Sequence, residues 1–232
     1  MIKRILISLS VVCICMGLAA WIGWQRGEAQ SPAGGPVPEG QVAAHIVGRM
    51  LVDQYGNAQL IGYFPYLANL PVAFFSGTPS EVTAYFTFRS PTFQLQSVQN
   101  GSILELFSQP ASPGTNPTLA YNIYLNATPH QDFTNPDTFS QGKLIASFNT
   151  VKWMATATAG GGLMAGTITL ISSADFTVQG QTYNLGNLGD ASTIVFTFGS
   201  SPNGLTFPLV IPFGGYAQQA ASLSPRLGSF RR

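Results

Sequence analysis

The sequence predicts an all-β fold, built as an antiparallel β-barrel or a two-sheet β-sandwich and preceded by an N-terminal apolar helix. Short runs of β-branched and aromatic residues alternate with Thr, Ser, Asn and Gln, which is typical of strands with one dry and one wet face. Gly, Pro, Asn and Asp interrupt these runs every ~8–15 residues, as the turns of a barrel or sandwich do. After the apolar N-terminus, no long segment combines helical spacing with caps.

The N-terminus predicts export. Lys3 and Arg4 precede a run without charge at residues 5–24. A basic start and an apolar centre are typical of a secretory signal peptide, for which cleavage is expected after Ala29. The run is also long enough for an uncleaved anchor, since a membrane-spanning helix needs about 20 apolar residues. In both cases the domain that follows is secreted, periplasmic or tethered outside the cytoplasm, and membrane contact is expected only through residues 5–24.

Four segments follow from composition. Residues 1–30 form the signal peptide or anchor, and residues 31–40, with three prolines and three glycines, form a linker. Residues 41–221 form one all-β domain, and residues 222–232 form a flexible basic tail. Both cysteines lie in the apolar run, so the domain contains no cysteine for an internal disulfide.

The first predicted strands show the pattern. Apolar residues occupy every second position from Val42 to Val52, which predicts a strand over residues 42–53 with one buried face. Pro65 predicts that the next strand, 59–67, ends there or lies at an edge. Asn100-Gly101 predicts a hairpin, because a type I′ turn needs positive φ at both positions.

The region 166–198 shows the strongest alternation, with two runs flanking a Gln179-Gly180-Gln181 turn. Residues 216–223 could instead make two helical turns. The remaining predicted strands occupy residues 82–89, 92–99, 102–108, 118–125, 143–150, 151–159, 167–171, 175–178, 182–185, 193–198 and 205–213.

Charge excludes one class of partner. Only 8% of the residues are charged, and residues 31–225 contain 4 basic against 8 acidic side chains. A nucleic-acid-binding surface needs clustered Lys and Arg for the phosphates, so no nucleic-acid partner is expected. The chain contains no nucleophile-elbow motif, which is typical of serine hydrolases. No cofactor is expected.

Aromatic residues give the first candidate site. A barrel of about eight strands holds either packed side chains or one small ligand. Aromatics on the predicted strands could therefore line an apolar ligand pocket, and the alternative is that they fill the core. The candidate ligand-binding residues are Phe86, Phe88, Tyr121, Trp153, Phe176 and Phe196.

The loop 126–138 gives the second candidate site. Asp132, Asn135 and Asp137 offer the oxygen ligands that Ca²⁺ prefers, although Asp and Asn also form turns without an ion. A third hypothesis is a hydrolase that uses His130 or His45 with a carboxylate as its base.

These observations favour an exported, non-catalytic module that binds an apolar small molecule inside a barrel. The alternatives are a cell-surface structural or adhesive module, which contacts another surface protein, and the hydrolase. A void of a few hundred Å³ would favour the first hypothesis. A filled core with an exposed apolar patch would favour the second.

Overall fold

The computed structural model describes residues 35–100, 103–110, 120–158, 161–202, 204 and 206–220. The predicted N-terminal helix, the predicted basic tail and Gly101 of the predicted hairpin lie outside the described residues. Within them, no helix is both long and apolar enough to cross a membrane.

The described residues are all-β, as predicted, and their only helical segments are the short 3₁₀ turns Glu81–Thr83, Pro136–Ser140 and Leu185–Leu188. The strands are β1 (Val42–Val52), β2 (Asn57–Leu67), β3 (Phe86–Arg89), β4 (Phe93–Asn100), β5 (Ile103–Pro110), β6 (Ala120–Leu125), β7 (Lys143–Thr158), β8 (Gly161–Ser173), β9 (Phe176–Val178), β10 (Gln181–Tyr183), β11 (Ala191–Phe198) and β12 (Leu209–Gln219).

The main sheet closes into an antiparallel barrel, which is one of the two predicted architectures. Strands β1, β2, β7, β8, β11 and β12 each occupy one position in the wall, and β12 pairs with β1 to close it. Strands β3 and β4 share a position because both pair with β2, and β5 and β6 share a position because both pair with β7. The result is an eight-position up-and-down barrel, with β9 and β10 as a separate hairpin.

Alternation sets the inward face of each strand. In β1 the apolar residues at even positions from Ala44 to Val52 are buried, as the sequence predicts, while His45 on the other face is exposed. Large side chains from the other strands fill the interior. The side chains that are at most 2% exposed include Leu60, Phe86, Phe88, Phe93, Tyr121, Ile145 and Phe196.

Glycines at inward positions make room for phenylalanine rings in the middle of the barrel. A Cβ on Gly48 would lie 2.6 Å from Cζ of Phe213, and one on Gly62 would lie 2.5 Å from Cζ of Phe88. The Phe213 ring also packs against Phe196, with 4.9 Å between ring centroids. This level of the barrel is therefore filled by close packing of large residues over small ones.

One end of the barrel, where β1 begins and β12 ends, is covered, and we call it the capped end. The turn Leu185–Leu188 buries both its leucines there. Residues 35–40, which the sequence predicts as part of a linker, lie against this turn: the Val37 amide donates to the Leu188 carbonyl at 3.1 Å. Val37 itself is buried, so this segment belongs to the packed domain.

Several predicted boundaries were wrong, among them the predicted strand 82–89, which begins only at Phe86 after the 3₁₀ turn Glu81–Thr83. The two strands predicted at 143–150 and 151–159 are one strand, β7, in which a register shift between Thr150 and Lys152 takes the place of a turn. The helical turns predicted from Tyr216 are absent up to Gln219, because β12 continues there in register with both β1 and β11. Pairing on both edges overrides the weak local preference.

Candidate functional site

A cavity of about 50 Å³ lies inside the capped end of the barrel. Its walls are mainly aliphatic and aromatic, and three polar side chains, those of Tyr121, Ser192 and Gln219, reach it. The described residues that line it are Ala43, Ala44, Ile46, Phe64, Leu67, Tyr121, Ile123, Phe148, Ile168, Leu185, Leu188, Gly189, Ser192, Ile194, Ala217 and Gln219.

Tyr121 lines this cavity and carries a buried hydroxyl that has no hydrogen-bond partner among the described residues. Tyr121 lies on β6, points inward beside Phe88, and is 2% exposed. Burial raises the pKa of this phenol well above its usual range, so the hydroxyl stays neutral and can donate. A buried hydroxyl without a partner costs about 1–3 kcal/mol, so this group requires an explanation.

Ser192 and Gln219 bring polar groups from another part of the wall. They are direct partners across β11 and β12, and both are buried. The side-chain nitrogen Nε2 of Gln219 donates to the Ala220 carbonyl at 3.3 Å. None of the described lining residues is Lys, Arg, His, Asp or Glu, so this part of the wall presents hydrogen-bonding groups without a fixed charge.

The turn Leu185–Leu188 closes the cavity from the capped end. Its N-cap residue, Asn184, accepts from the Gly186 amide at 2.8 Å and donates to Asp175 at 2.7 Å. After the turn, Gly189 has φ +135°, and Gln219 packs so closely against it that an added Cβ would lie 2.5 Å from Cδ of Gln219. The side-chain amide of Gln219 is therefore packed against Gly189, which follows the turn that closes the cavity.

The structure divides the predicted aromatic residues into two groups. Phe86, Phe88 and Phe196 are buried as core residues, and Phe176 on β9 packs against Phe86 of the barrel and Tyr183 of β10. Among the predicted residues whose side chains the structure describes, only Tyr121 lines the cavity. The side chain of Trp153 lies outside the described residues.

Sequence reasoning missed Ser192 and Gln219. Both occupy positions on the inward face of otherwise apolar alternating strands, where Ser192 precedes Ile194 and Gln219 follows Ala217. A polar residue on a face that is expected to be dry is the signal that identifies such residues. The strand β12 was predicted to end before Gln219, so that face was not followed far enough.

The loop predicted to bind metal uses its carboxylates for other contacts. Asp132 accepts from the amide and the hydroxyl of Thr134 at 2.8 and 2.7 Å, and these bonds lower the pKa of Asp132. Asp137 forms an ion pair with Arg89 at 2.7 Å. Asn135 lies at the N-cap of the turn Pro136–Ser140. No cluster of three His, Cys, Asp or Glu occurs in the described part of the chain, and the metal site stays a prediction.

Neither histidine contacts a carboxylate within the described residues. The ring nitrogens of His130 contact the Thr128 carbonyl at 2.8 Å and Oε1 of Gln141 at 2.6 Å, and these acceptors raise the pKa of His130. The ring of His45 packs edge-on against Tyr66 on the outside of the barrel. The histidine–carboxylate pair that the hydrolase hypothesis requires is not assembled by these contacts.

No family model, curated protein or solved structure matches the chain. The described residues form a closed, eight-position, up-and-down barrel with a small cavity at one end, and the described residues that line this cavity carry no charge.

Proposed function

We propose that the protein is a binding module that holds a small, uncharged, mainly apolar molecule in the cavity at the capped end. The observation that carries this proposal is Tyr121, which lines the cavity and whose buried hydroxyl has no partner among the described residues. Binding sites for small molecules typically combine apolar walls with a few polar groups that fix orientation. A ligand with a hydrogen-bond acceptor would satisfy the hydroxyl that the protein alone leaves unpaired.

The cavity volume limits the ligand. About 50 Å³ accommodates three to five water-sized groups, at roughly 10–15 Å³ for each. This is smaller than the void of a few hundred Å³ expected for a carrier of a large apolar molecule. The ligand is therefore compact, or the cavity receives only the polar end of a longer molecule.

The absence of charge in the lining defines the chemistry of the ligand. A carboxylate or phosphate would lose its hydration without meeting Lys, Arg or His in the lining, which is strongly unfavourable. A neutral carbonyl or ether oxygen requires only a donor, and the Tyr121 hydroxyl is one. Ser192 and Gln219 can pair with a second polar group on the same molecule.

Two probes of the same shape test this proposal. Butanone has a carbonyl oxygen where 2-methylbut-1-ene has a methylene group, so the pair differs only in the acceptor. Binding to the purified full chain is measured by saturation-transfer NMR and by the shift in thermal unfolding temperature. We expect butanone to bind more tightly than the alkene, because only butanone accepts from Tyr121.

The variant Tyr121→Phe is the matched control, since it keeps the ring and removes the hydroxyl. In this variant the preference for butanone should disappear while the alkene binds as before. The proposal is wrong if neither probe binds the wild-type chain. It is also wrong if the preference for butanone is the same in Tyr121→Phe.

We also propose that the domain acts outside the cytoplasm. Its support is the sequence of residues 1–30, with two basic residues before an uncharged run. The intact mass of the protein isolated from its cells tests whether residues 1–29 are removed or retained. Loss of the first 29 residues identifies a signal peptide, whereas retention of them identifies an anchor.

A further inference from the structure

A cleft of about 460 Å³ opens beside the capped end, and none of its described lining residues also lines the cavity. One side of the cleft is formed where β3 begins, β6 ends and β7 begins, because Leu125 pairs with both Phe86 and Lys143. The other side is the tip of the β9–β10 hairpin, at residues 177–179. Binding sites for small molecules typically measure about 300–1,000 Å³, so this cleft has the volume of a complete site.

Most of the described lining of this cleft is apolar. Tyr85, Leu125 and Val178 are half-buried, and they pack against the hydrophobic core while part of each residue stays exposed. Ala73 and Ala127 add two small, exposed side chains. Covering apolar surface that water reaches is favourable, so the cleft favours a ligand with an apolar body.

Lys143, at the start of β7, brings a positive charge to this lining. Its ammonium group donates to the Asp175 carbonyl at 2.7 Å, which holds the charge at the base of the hairpin. A neutral carbonyl uses one of the three ammonium protons and does not compensate the charge. The carboxylate of Asp175 accepts from Asn184 at 2.7 Å, and Lys143 forms no ion pair among the described residues. An anion in the cleft therefore meets an ammonium group with protons left to donate.

Cations are scarce in this acidic domain, and the others whose side chains the structure describes are already engaged. Arg89 forms an ion pair with Asp137 at 2.7 Å, and the Arg49 guanidinium lies 4.2 Å from the centre of the Phe133 ring. Lys143 has neither a carboxylate nor a ring as its partner in the described part of the chain. None of the other described lining residues carries a charge, so the cleft attracts an anion.

The hairpin side of the cleft is attached loosely to the barrel. Within the described residues, β9 and β10 form a separate two-stranded sheet that pairs with no strand of the wall. The hairpin packs on the barrel through Phe176, whose ring centre lies 6.0 Å from that of Phe86. Its tip turns at Gln179 and Gly180, with φ of +53° and +80°, as in a type I′ turn. No ladder to the wall has to break for this tip to shift, so the cleft can narrow around a ligand.

We propose that this cleft binds a fatty acid of short or medium chain length, with its carboxylate at Lys143 and its hydrocarbon chain along Tyr85 and Leu125. One ammonium group balances the single negative charge of a carboxylate. A phosphate carries more charge and is typically bound by several donors or by an arginine fork. The proposal goes beyond the function proposed for the cavity, because the cavity lining favours an uncharged molecule.

The two ends of such a ligand contribute separately to its affinity. Each CH₂ group that leaves water strengthens binding about two- to fourfold, with the lower value for a chain that stays half covered. Binding should therefore strengthen by about four- to sixteenfold from butanoate to hexanoate, which is two CH₂ groups longer. Attraction to Lys143 alone would give the two acids the same affinity.

Fluorine NMR of the full chain, labelled with 3-fluorotyrosine, tests the proposal at the cleft itself. The resonances of Tyr85 and Tyr121 are identified by their loss in Tyr85→Phe and Tyr121→Phe. Hexanoate should shift the Tyr85 resonance and leave that of Tyr121 unchanged. Hexan-1-ol has the same chain without a charge, and it should bind about tenfold more weakly because it loses the charged hydrogen bond.

Substitutions in the cleft separate its charge from its shape. Lys143→Gln should weaken hexanoate about tenfold and leave hexan-1-ol unchanged, because Gln keeps a donor for the Asp175 carbonyl and removes the charge. Lys143→Arg, which keeps the charge, should bind hexanoate more tightly than Lys143→Gln does. Ala127→Trp places a large ring in the cleft and should abolish binding of both probes. Leu163→Trp is the matched control, because Leu163 is 47% exposed and lies near the start of β8, at the opposite end of the barrel.

The proposal is overturned if hexanoate leaves the Tyr85 resonance unshifted, or if Lys143→Gln binds hexanoate as tightly as the wild type does. Equal affinities of butanoate, hexanoate and hexan-1-ol also overturn it. A shift of the Tyr121 resonance in place of that of Tyr85 overturns it as well, because the acid would then occupy the cavity. Binding of butanone is scored at Tyr121, so the two proposals can fail independently.

Discussion

The substitution Tyr121→Phe should stabilise the protein in the absence of a ligand. The wild-type hydroxyl is buried and has no partner among the described residues. Removing an unsatisfied buried polar group recovers about 1–3 kcal/mol. The void left by one oxygen, about 10–15 Å³, costs only about 0.3 kcal/mol at the usual cavity coefficient. We therefore expect a net gain of about 0.7–2.7 kcal/mol.

Urea and thermal unfolding of the purified chain measure this gain. For a chain of this size, 1 kcal/mol corresponds to a change of about 2–4 °C in Tm. The stability of the wild type and that of Tyr121→Phe should also depend differently on pH. Burial raises the pKa of Tyr121 above the ordinary phenol value of about 10, so only the unfolded state ionises just above that pH. Wild-type stability therefore falls as pH rises above 10, and the contribution of Tyr121 to that fall is absent in Tyr121→Phe.

Tyr183 provides the matched control for this prediction. It is also buried, at 5% exposure, but its hydroxyl donates to Oε1 of Gln181 at 2.6 Å. Tyr183→Phe should therefore lower the free energy of unfolding by about 0.5–1.5 kcal/mol. The reasoning is refuted if Tyr121→Phe destabilises the protein as Tyr183→Phe does, because the Tyr121 hydroxyl would then have a partner.

Two further predictions test packing and electrostatics. Gly48→Ala should cost about 1–3 kcal/mol in chemical unfolding, because its Cβ would lie 2.6 Å from Cζ of Phe213; Gly77→Ala, whose nearest contact would be at 3.9 Å, should be near neutral. The pKa of His130, measured by NMR titration, should lie above 6.5, and Gln141→Ala should lower it because the imidazolium loses an acceptor. The first prediction is contradicted if Gly48→Ala and Gly77→Ala change stability equally. The second is contradicted if the pKa of His130 is not raised.

The sequence predicted the elements of the wall because alternation is a local property. In β1, apolar residues at every second position reflect a buried face that the chain shows without its neighbours. The choice between barrel and sandwich was left open, because closure depends on the pairing of β12 with β1. These strands lie at opposite ends of the domain, and no local signal links them.

The candidate site was predicted only in part, for a different reason. Aromatic residues on inward faces can either pack against each other or line a space, and composition does not distinguish the two. Phe88 and Tyr121 were predicted together, but Phe88 packs over Gly62 and Tyr121 lines the cavity. The difference arises from which glycines face which rings across the barrel, and this requires the register of several strands.

The barrel therefore has two levels with different physical properties. In the middle, Phe213 and Phe88 pack over Gly48 and Gly62, so any added atom there meets a ring. At the capped end, the cavity is bounded by the short turn Leu185–Leu188. This turn is not part of a strand of the barrel wall. Local opening costs less where backbone pairing is sparse, so we expect this turn to open more readily than the strands of the wall. Tyr121 lines the cavity that this turn closes, and its ring packs against Phe88 of the filled middle level.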